Sequence, residues 1–117
     1  MSARRILVVD DNELAAKALK IGLEVLGYQV EVAHSGVHAL EIAETFAPEI
    51  ALLDITMPTM NGYEVGRRLR DRRLVRLIAL SGHGHDTDVA RSKAAGFEHH
   101  LIKPVDLDMI KTILGKP

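Results

Sequence analysis

Ile6-Leu7-Val8-Val9-Asp10-Asp11-Asn12 decides the fold. Four apolar residues run together without polar alternation, three of them β-branched, and then give way at once to carboxylates. That pattern predicts a short strand buried on both faces. Such a strand belongs to a sheet covered by helices on either side, which is the parallel α/β arrangement.

Working outward, the same unit repeats. Leu14 to Leu26 has helical spacing, with Leu14, Ala18, Ile21 and Val25 in one stripe and Ala15, Leu19 and Leu26 beside it; Asp11 or Asn12 can cap it and Gly27 stop it. Tyr28–Ala33 alternates Val30 and Val32 with Gln29 and Glu31, the signature of a more exposed edge strand. Ser35 can cap a helix over Val37–Phe46, which Ala47-Pro48 breaks. Glu49–Asp54 is the third strand, Ile55–Asn61 a loop containing Pro58, and Asn61 with Glu64 a capping-box start to the next helix. Leu74–Leu80 reads as the fourth strand, ending at Ser81. Asp86 or Thr87 opens a helix that stops near Gly96, Phe97–Ile102 is the fifth strand, and Asp106–Leu114 the last helix. Five strands alternating with five helices imply parallel pairing through right-handed crossovers.

The chain has 117 residues, 15 basic and 16 acidic side chains, and no cysteine or tryptophan. That length suits a single domain over residues 1–117. Without cysteine there are no disulfides, thiolate clusters or thiol nucleophiles, which fits a reducing, cytoplasmic setting. No apolar run is long enough for a bilayer, so no membrane association is expected. A net charge of −1 lacks the basic footprint of a nucleic-acid binder.

In an open parallel sheet, ligands bind beyond the carboxyl ends of the strands. Those ends carry Asp10 and Asp11, Asp54, Ser81 and Lys103. If the first and third strands are neighbours, three carboxylates share one crevice. Two carboxylates about 4–5 Å apart repel by roughly 3–4 kcal/mol at an effective dielectric near 20. Either their pKa values rise or a cation joins them. An all-oxygen donor set selects a hard cation, and Mg²⁺ suits a few carboxylates plus a phosphate. Lys103 and Ser81 add a point charge and a hydroxyl suited to phosphoryl oxygens. No glycine-rich nucleotide cradle is present. Asp54, at the tip of the most apolar strand, is therefore the expected nucleophile and an acyl phosphate the expected product, with Asp10 and Asp11 as metal ligands.

At these residues the chain resembles the receiver domains of two-component signalling. The motifs are Leu7-Val8-Val9-Asp10-Asp11-Asn12, Asp54-Ile55-Thr56-Met57-Pro58 with Met60-Asn61-Gly62, Ser81-Gly82, and Lys103-Pro104. The resemblance implies a flavodoxin-like (CheY-like) doubly wound sheet of order 2-1-3-4-5. It also implies that Asp54 takes a phosphoryl group from a histidine kinase or histidine phosphotransfer protein. Asp11, Asp54 and the backbone carbonyl of Thr56 would bind Mg²⁺, with Asp10 acting through water. Lys103, preceding a proline whose peptide bond is usually cis in the family, would bridge to the phosphoryl group. Ser81 would swing to bond it, the fourth and fifth helices and fifth strand forming the readout face. His100 takes the place of the switch aromatic, and His100 to Asp106 is similar to receivers fused to hybrid histidine kinases.

Two rival functions fit less well. An FMN carrier of like topology needs phosphate donors in its first loop, where Asp10-Asp11-Asn12-Glu13 offers mostly anions. A Mg²⁺-dependent aspartyl-phosphate phosphatase needs an acid two residues after the nucleophile, where Thr56 stands. The chain is thus expected to be a switch, catalysing only its own phosphorylation and dephosphorylation. Of six histidines, His99 and His100 adjoin in a strand and face apart, while His83 and His85 are taken as solvated. Arg67, Arg68, Arg70, Arg72, Arg73 and Arg76 are read as a wet surface, with Val65, Leu69 and Leu74 as apolar contacts.

Overall fold

The computed structural model describes residues 4–57, 62–72, 74–82 and 86–115. The elements are β1 (Arg5–Val9), α1 (Glu13–Val25), β2 (Gln29–Ala33), α2 (Gly36–Phe46), β3 (Ile50–Asp54), α3 (Gly62–Arg72), β4 (Arg76–Ser81), α4 (Asp86–Ala94), β5 (His99–Ile102) and α5 (Leu107–Leu114). Pro58, Met60, Asn61, Arg73, His83 and His85 lie outside the described residues, and with them the loop proline and the Asn61 cap.

The strands pair in parallel in the order β2-β1-β3-β4-β5. Every residue of β3 is buried, as its unbroken apolar run requires, whereas edge strand β2 alternates. Helix starts follow side-chain chemistry: Asn12, Ser35 and Asp106 accept the N–H groups of Ala15, His38 and Asp108. Gly27, just past α1, adopts φ 101°, a conformation glycine enters without a Cβ penalty.

Two apolar clusters flank the sheet. On one face Leu7, Val9, Leu53, Leu77 and Ala79 meet Ala39, Leu40 and Ala43 of α2 and Val65 and Leu69 of α3. On the other, Ile6, Val8, Leu52, Ile78 and Leu80 meet Ala16, Leu19 and Leu23 of α1 and Ile110 and Leu114 of α5.

Of the apolar residues of α1, the stripe Leu14, Ala18, Ile21 and Val25 lies away from the sheet. Leu14 and Val25 are 81% exposed and Ile21 53%, while Ala16, Leu19 and Leu23 supply the buried face. Leu74 departs from expectation at 89% exposure; Val75 takes the buried place before β4. The described arginines of the basic run are wet and mostly paired: Arg67 and Arg68 with Glu64, Arg72 with Glu44, and Arg76 with Glu98.

At the amino ends of the strands, away from the acidic tips, the two ends of the described chain are tied together. Arg4 Nη1 donates to the Leu114 carbonyl at 2.8 Å, and the Tyr28 hydroxyl to that of Gly115 at 2.6 Å. Arg5 reaches the Ala47 carbonyl at 2.9 Å on the same side.

Candidate functional site

β1 and β3 are neighbours, with Val9 paired to Leu53, so the residues following them in sequence emerge side by side. Asp10, Asp11 and Asp54 each offer an oxygen within 4.8 Å of the others. Asp10 and Asp54 are 3% exposed and Asp11 is open to solvent. β4 and β5 extend the same edge, and the Lys103 N–H bonds the Ser81 carbonyl at 2.8 Å. The peptide bond between Lys103 and Pro104 is cis.

Lys103 Nζ lies 2.7 Å from Asp10 Oδ2 and 2.9 Å from Asp54 Oδ2, one cation shared by two buried anions. The other oxygen of Asp54 is held locally. The Thr56 N–H donates to Asp54 Oδ1 at 2.8 Å and the Thr56 hydroxyl to the same atom at 2.6 Å. The N–H bond is the two-residue Asx turn, whose short side chain mimics a backbone acceptor. Asp10 Oδ1 accepts the N–H of Asn12 at 3.0 Å, and the Asp10 carbonyl bonds His34 Nδ1 at 3.0 Å.

These surroundings separate the two buried acids. For Asp54, burial pushes the pKa up, but Thr56's donors and Lys103 outweigh it and hold the carboxyl below its ordinary value. For Asp10, burial wins over Lys103 and the Asn12 N–H, and the charge of Asp54 adds to the rise. Lys103 loses hydration, yet the two carboxylates together raise its pKa. Asp54 is thus the acid best held as an anion.

Among the described residues, one cation against three carboxylates leaves the cluster acidic, and the donors are oxygen throughout. The chemistry fits a hard divalent ion such as Mg²⁺. Beside the cluster a largely apolar cavity of about 480 Å³ opens between α1 and the segment after β5, lined in part by Ala15, Ala18, Pro104 and Val105, with Asp10 and Lys103 at its edge.

The family model described as response regulator receiver domain matches residues 6–115. The chain belongs to the receiver domain family. It is 36% identical over 111 residues to the sensor histidine kinase RcsC of Salmonella typhimurium, covering 94% of this chain but 12% of RcsC. The chain therefore spans only a small part of that relative. It is 31% identical over 119 residues to the polar-differentiation response regulator DivK of Brucella ovis, covering 96% of this chain and 97% of DivK. Among solved structures, a response regulator protein of Burkholderia pseudomallei with a phosphorylated aspartic acid, calcium ion and citrate matches at TM-score 0.85 and 30% identity, over 92% of this receiver and 64% of that chain. The expected sheet order and receiver fold are both found, and membership of this family removes the flavin-carrier alternative.

Asp10, Asp11, Asp54 and Lys103, singled out from strand ends, meet in one place. Ser81 and His100 meet each other beside it, at 2.6 Å from Oγ to Nε2. Sequence reasoning assigned Thr56 a backbone role and missed its hydroxyl, although its position two residues after a carboxylate was a readable signal. It also missed Ser92, which bonds His100 Nδ1 at 3.1 Å and has no signal in the sequence. Gly62, in the motif Met60-Asn61-Gly62, has a steric reason that the sequence does not display. A Cβ there would stand 2.6 Å from the Asp54 carbonyl oxygen, so α3 can start against β3 only as glycine.

Proposed function

We propose that residues 1–117 form one receiver domain that accepts a phosphoryl group on Asp54 from the phosphohistidine of a histidine kinase or histidine phosphotransfer protein. The carrying observation is the asymmetric hold on Asp54, with Thr56 on Oδ1 and Lys103 on Oδ2. That hold keeps the carboxyl ionised and fixed in orientation at the rim of an acidic crevice. In the transfer, an Asp54 oxygen attacks phosphorus, a P–O bond forms, and the P–N bond breaks with its electron pair returning to the partner's imidazole.

Lys103 would release Asp54 Oδ2 and follow the charge to the phosphoryl oxygens, while Ser81 supplies a hydroxyl to one of them and His100 reports its movement to α4. Asp11, Asp54 and the Thr56 carbonyl would hold Mg²⁺, with Asp10 through water. When bound, the ion offsets the repulsion between the entering phosphoryl group and the carboxylates.

Leu14, Ala18, Ile21 and Val25 leave one side of α1 apolar and open, and Ala18 also lines the cavity that Asp10 and Lys103 border. A partner's histidine-bearing helix seated there would bring its imidazole to Asp54. The Thr56 hydroxyl donates to Asp54, which supports a single-equivalent switch over a phosphatase that needs an acid at that position. The chemistry suits a cytoplasmic setting, and among the described residues no helix is long and apolar enough to cross a membrane.

Intact-mass measurement after treatment with a small acyl phosphate tests this reading. The native chain should gain one phosphoryl group only with Mg²⁺, and Asp54→Asn none. A native chain that stays unmodified under donor excess, with rapid hydrolysis excluded by time course, overturns it.

A further inference from the structure

The three carboxylates of the acidic cluster are not held alike. Asp10 is fixed by the Asn12 N–H on Oδ1 and Lys103 on Oδ2, and Asp54 by Thr56 on Oδ1 and Lys103 on Oδ2. Asp11 is exposed, and among the described residues no donor bonds its carboxylate. Its place within 4.8 Å of the other two therefore depends on the main chain that carries it.

That main chain leaves β1 at Asp10. Val9 pairs with Ala33, the last residue of β2, and the Asp10 N–H bonds the Ala33 carbonyl at 3.1 Å. In a parallel ladder the next rung would bring a main-chain N–H to the Asp10 carbonyl. β2 has ended by then, because Ser35 turns the chain into α2 as its N-cap. Among the described residues no main-chain N–H reaches the Asp10 carbonyl, and the His34 ring takes that place, with Nδ1 3.0 Å from the oxygen. A carbonyl oxygen only accepts, so Nδ1 is the donor and carries a proton whether the ring is neutral or charged.

This carbonyl belongs to the peptide that joins Asp10 to Asp11. A planar peptide held at its oxygen fixes ψ of Asp10 and φ of Asp11 together, and with them the direction in which the Asp11 side chain leaves. With the Asp10 N–H tied to Ala33, the end of β2 grips the chain on both sides of the Asp10 Cα.

We propose that His34 is a positioning residue for cation binding: its hydrogen bond to the Asp10 carbonyl orients the Asp10–Asp11 peptide and so holds the Asp11 carboxylate in the acidic crevice. This rests on Asp10, Asp11 and Asp54 being the Mg²⁺ site of the proposed function. His34 acts through the main chain and not by touching the ion or the phosphoryl group. Losing it should lower the affinity for Mg²⁺ and leave the transfer step alone once the ion is bound.

The test is titration of the full-length chain with Mg²⁺ alone, followed by backbone NMR, for the native protein, His34→Ala and His34→Asn. The asparagine amide nitrogen hangs from Cγ as Nδ1 does, so it can make the same bond. The Asp10 carbonyl ¹³C shift reports that bond directly. His34→Ala should raise the Kd for Mg²⁺ about three- to ten-fold, the worth of one neutral hydrogen bond, and move the Asp10 carbonyl resonance. His34→Asn should keep both near native. With a small acyl phosphate as donor, the Mg²⁺ concentration for half-maximal phosphorylation rate should rise by the same factor in His34→Ala, while the rate at saturating Mg²⁺ stays within about two-fold of native.

An alanine variant whose Mg²⁺ affinity lies within about two-fold of native overturns the proposal. So does an asparagine variant that binds as weakly as alanine, or a rate at saturating Mg²⁺ that falls as far as the affinity. A native chain that binds no Mg²⁺ instead overturns the reading of the acidic cluster beneath it, an outcome the native titration separates from the others.

Discussion

Replacing Gly62 by alanine probes the contact that seats α3 against the strand that ends in Asp54. The added methyl would lie 2.6 Å from the Asp54 carbonyl oxygen, 2.7 Å from Ile55 Cα and 3.0 Å from the Asp54 carbonyl carbon. Ordinary contact begins at 3.4 Å, so the overlap is about 0.8 Å and falls on backbone. That backbone cannot yield easily, because Asp54 pairs with Leu80 and the Ile55 N–H bonds the Leu80 carbonyl.

Overpacking of this kind costs about 1–3 kcal/mol, offset by a fraction of the roughly 1 kcal/mol helix advantage of alanine over glycine. The net loss of about 2 kcal/mol corresponds to a Tm lower by about 6–12 °C for a domain of this size. A displacement of several tenths of an ångström at Asp54 should also slow phosphorylation from a small acyl phosphate by about ten- to a hundred-fold. Gly82→Ala is the control: its Cβ meets nothing within 4 Å although it adjoins Ser81. Thermal unfolding by circular dichroism and initial rates by intact mass read both variants. A Gly62→Ala protein that melts within about 3 °C of native and phosphorylates at the native rate would refute the steric reasoning.

Lys103→Met removes the one cation from between Asp10 and Asp54. Breaking a buried pair costs about 3–5 kcal/mol, and with Lys103 27% exposed the loss in urea unfolding should be nearer about 2–3 kcal/mol, with Mg²⁺ restoring more stability to the variant than to native. Asp10 and Asp54 should respond oppositely to pH. Because the Asp10 pKa is raised on folding, its favourable contribution is present below the unfolded value of 3.8 and lost as pH rises through the folded value; Asp10→Asn should therefore raise Tm at pH 7 without Mg²⁺, the gain vanishing in acid. The Asp54 pKa is lowered, so its contribution is present above 3.8 and lost as pH falls through the folded value; Asp54→Asn should lower Tm at pH 7 and converge on native in acid. Ile21→Asp, on the open face of α1, should leave phosphorylation by a small acyl phosphate within about two-fold of native while slowing transfer from a phosphohistidine protein at least about ten-fold, as expected for a lost apolar contact at a partner interface.

The fold was legible because the central strands β1 and β3 carry apolar runs without polar interruption. Ile6–Val9 and Ile50–Leu53 can sit only in the middle of a covered sheet, and the residue after each such run must emerge at its edge. That is also why the acidic cluster is readable from the amino-acid sequence: strand ends are addresses. The helices were less legible. In α1 two apolar stripes share the same spacing, Leu14-Ala18-Ile21-Val25 and Ala16-Leu19-Leu23, and periodicity alone does not say which one meets the sheet. The bulkier stripe turned out to be the open one. Ser92 looks like any serine of a polar helix until β5 sets His100 opposite it. Gly62 is similar, since the backbone it must clear is eight residues earlier in the chain and comes close only where α3 packs against β3.

The knot of hydrogen bonds joining Arg4 to Leu114 and Tyr28 to Gly115 sits at the pole of the sheet opposite the acidic tips. The described chain therefore begins and ends on the side away from Asp10, Asp11 and Asp54. Sequence tethered beyond Arg4 or Gly115 would load that pole and leave the acidic rim clear. That geometry accounts for how one architecture can fill nearly all of a short regulator such as DivK and a small fraction of a long kinase such as RcsC, changing its surroundings without rebuilding its site.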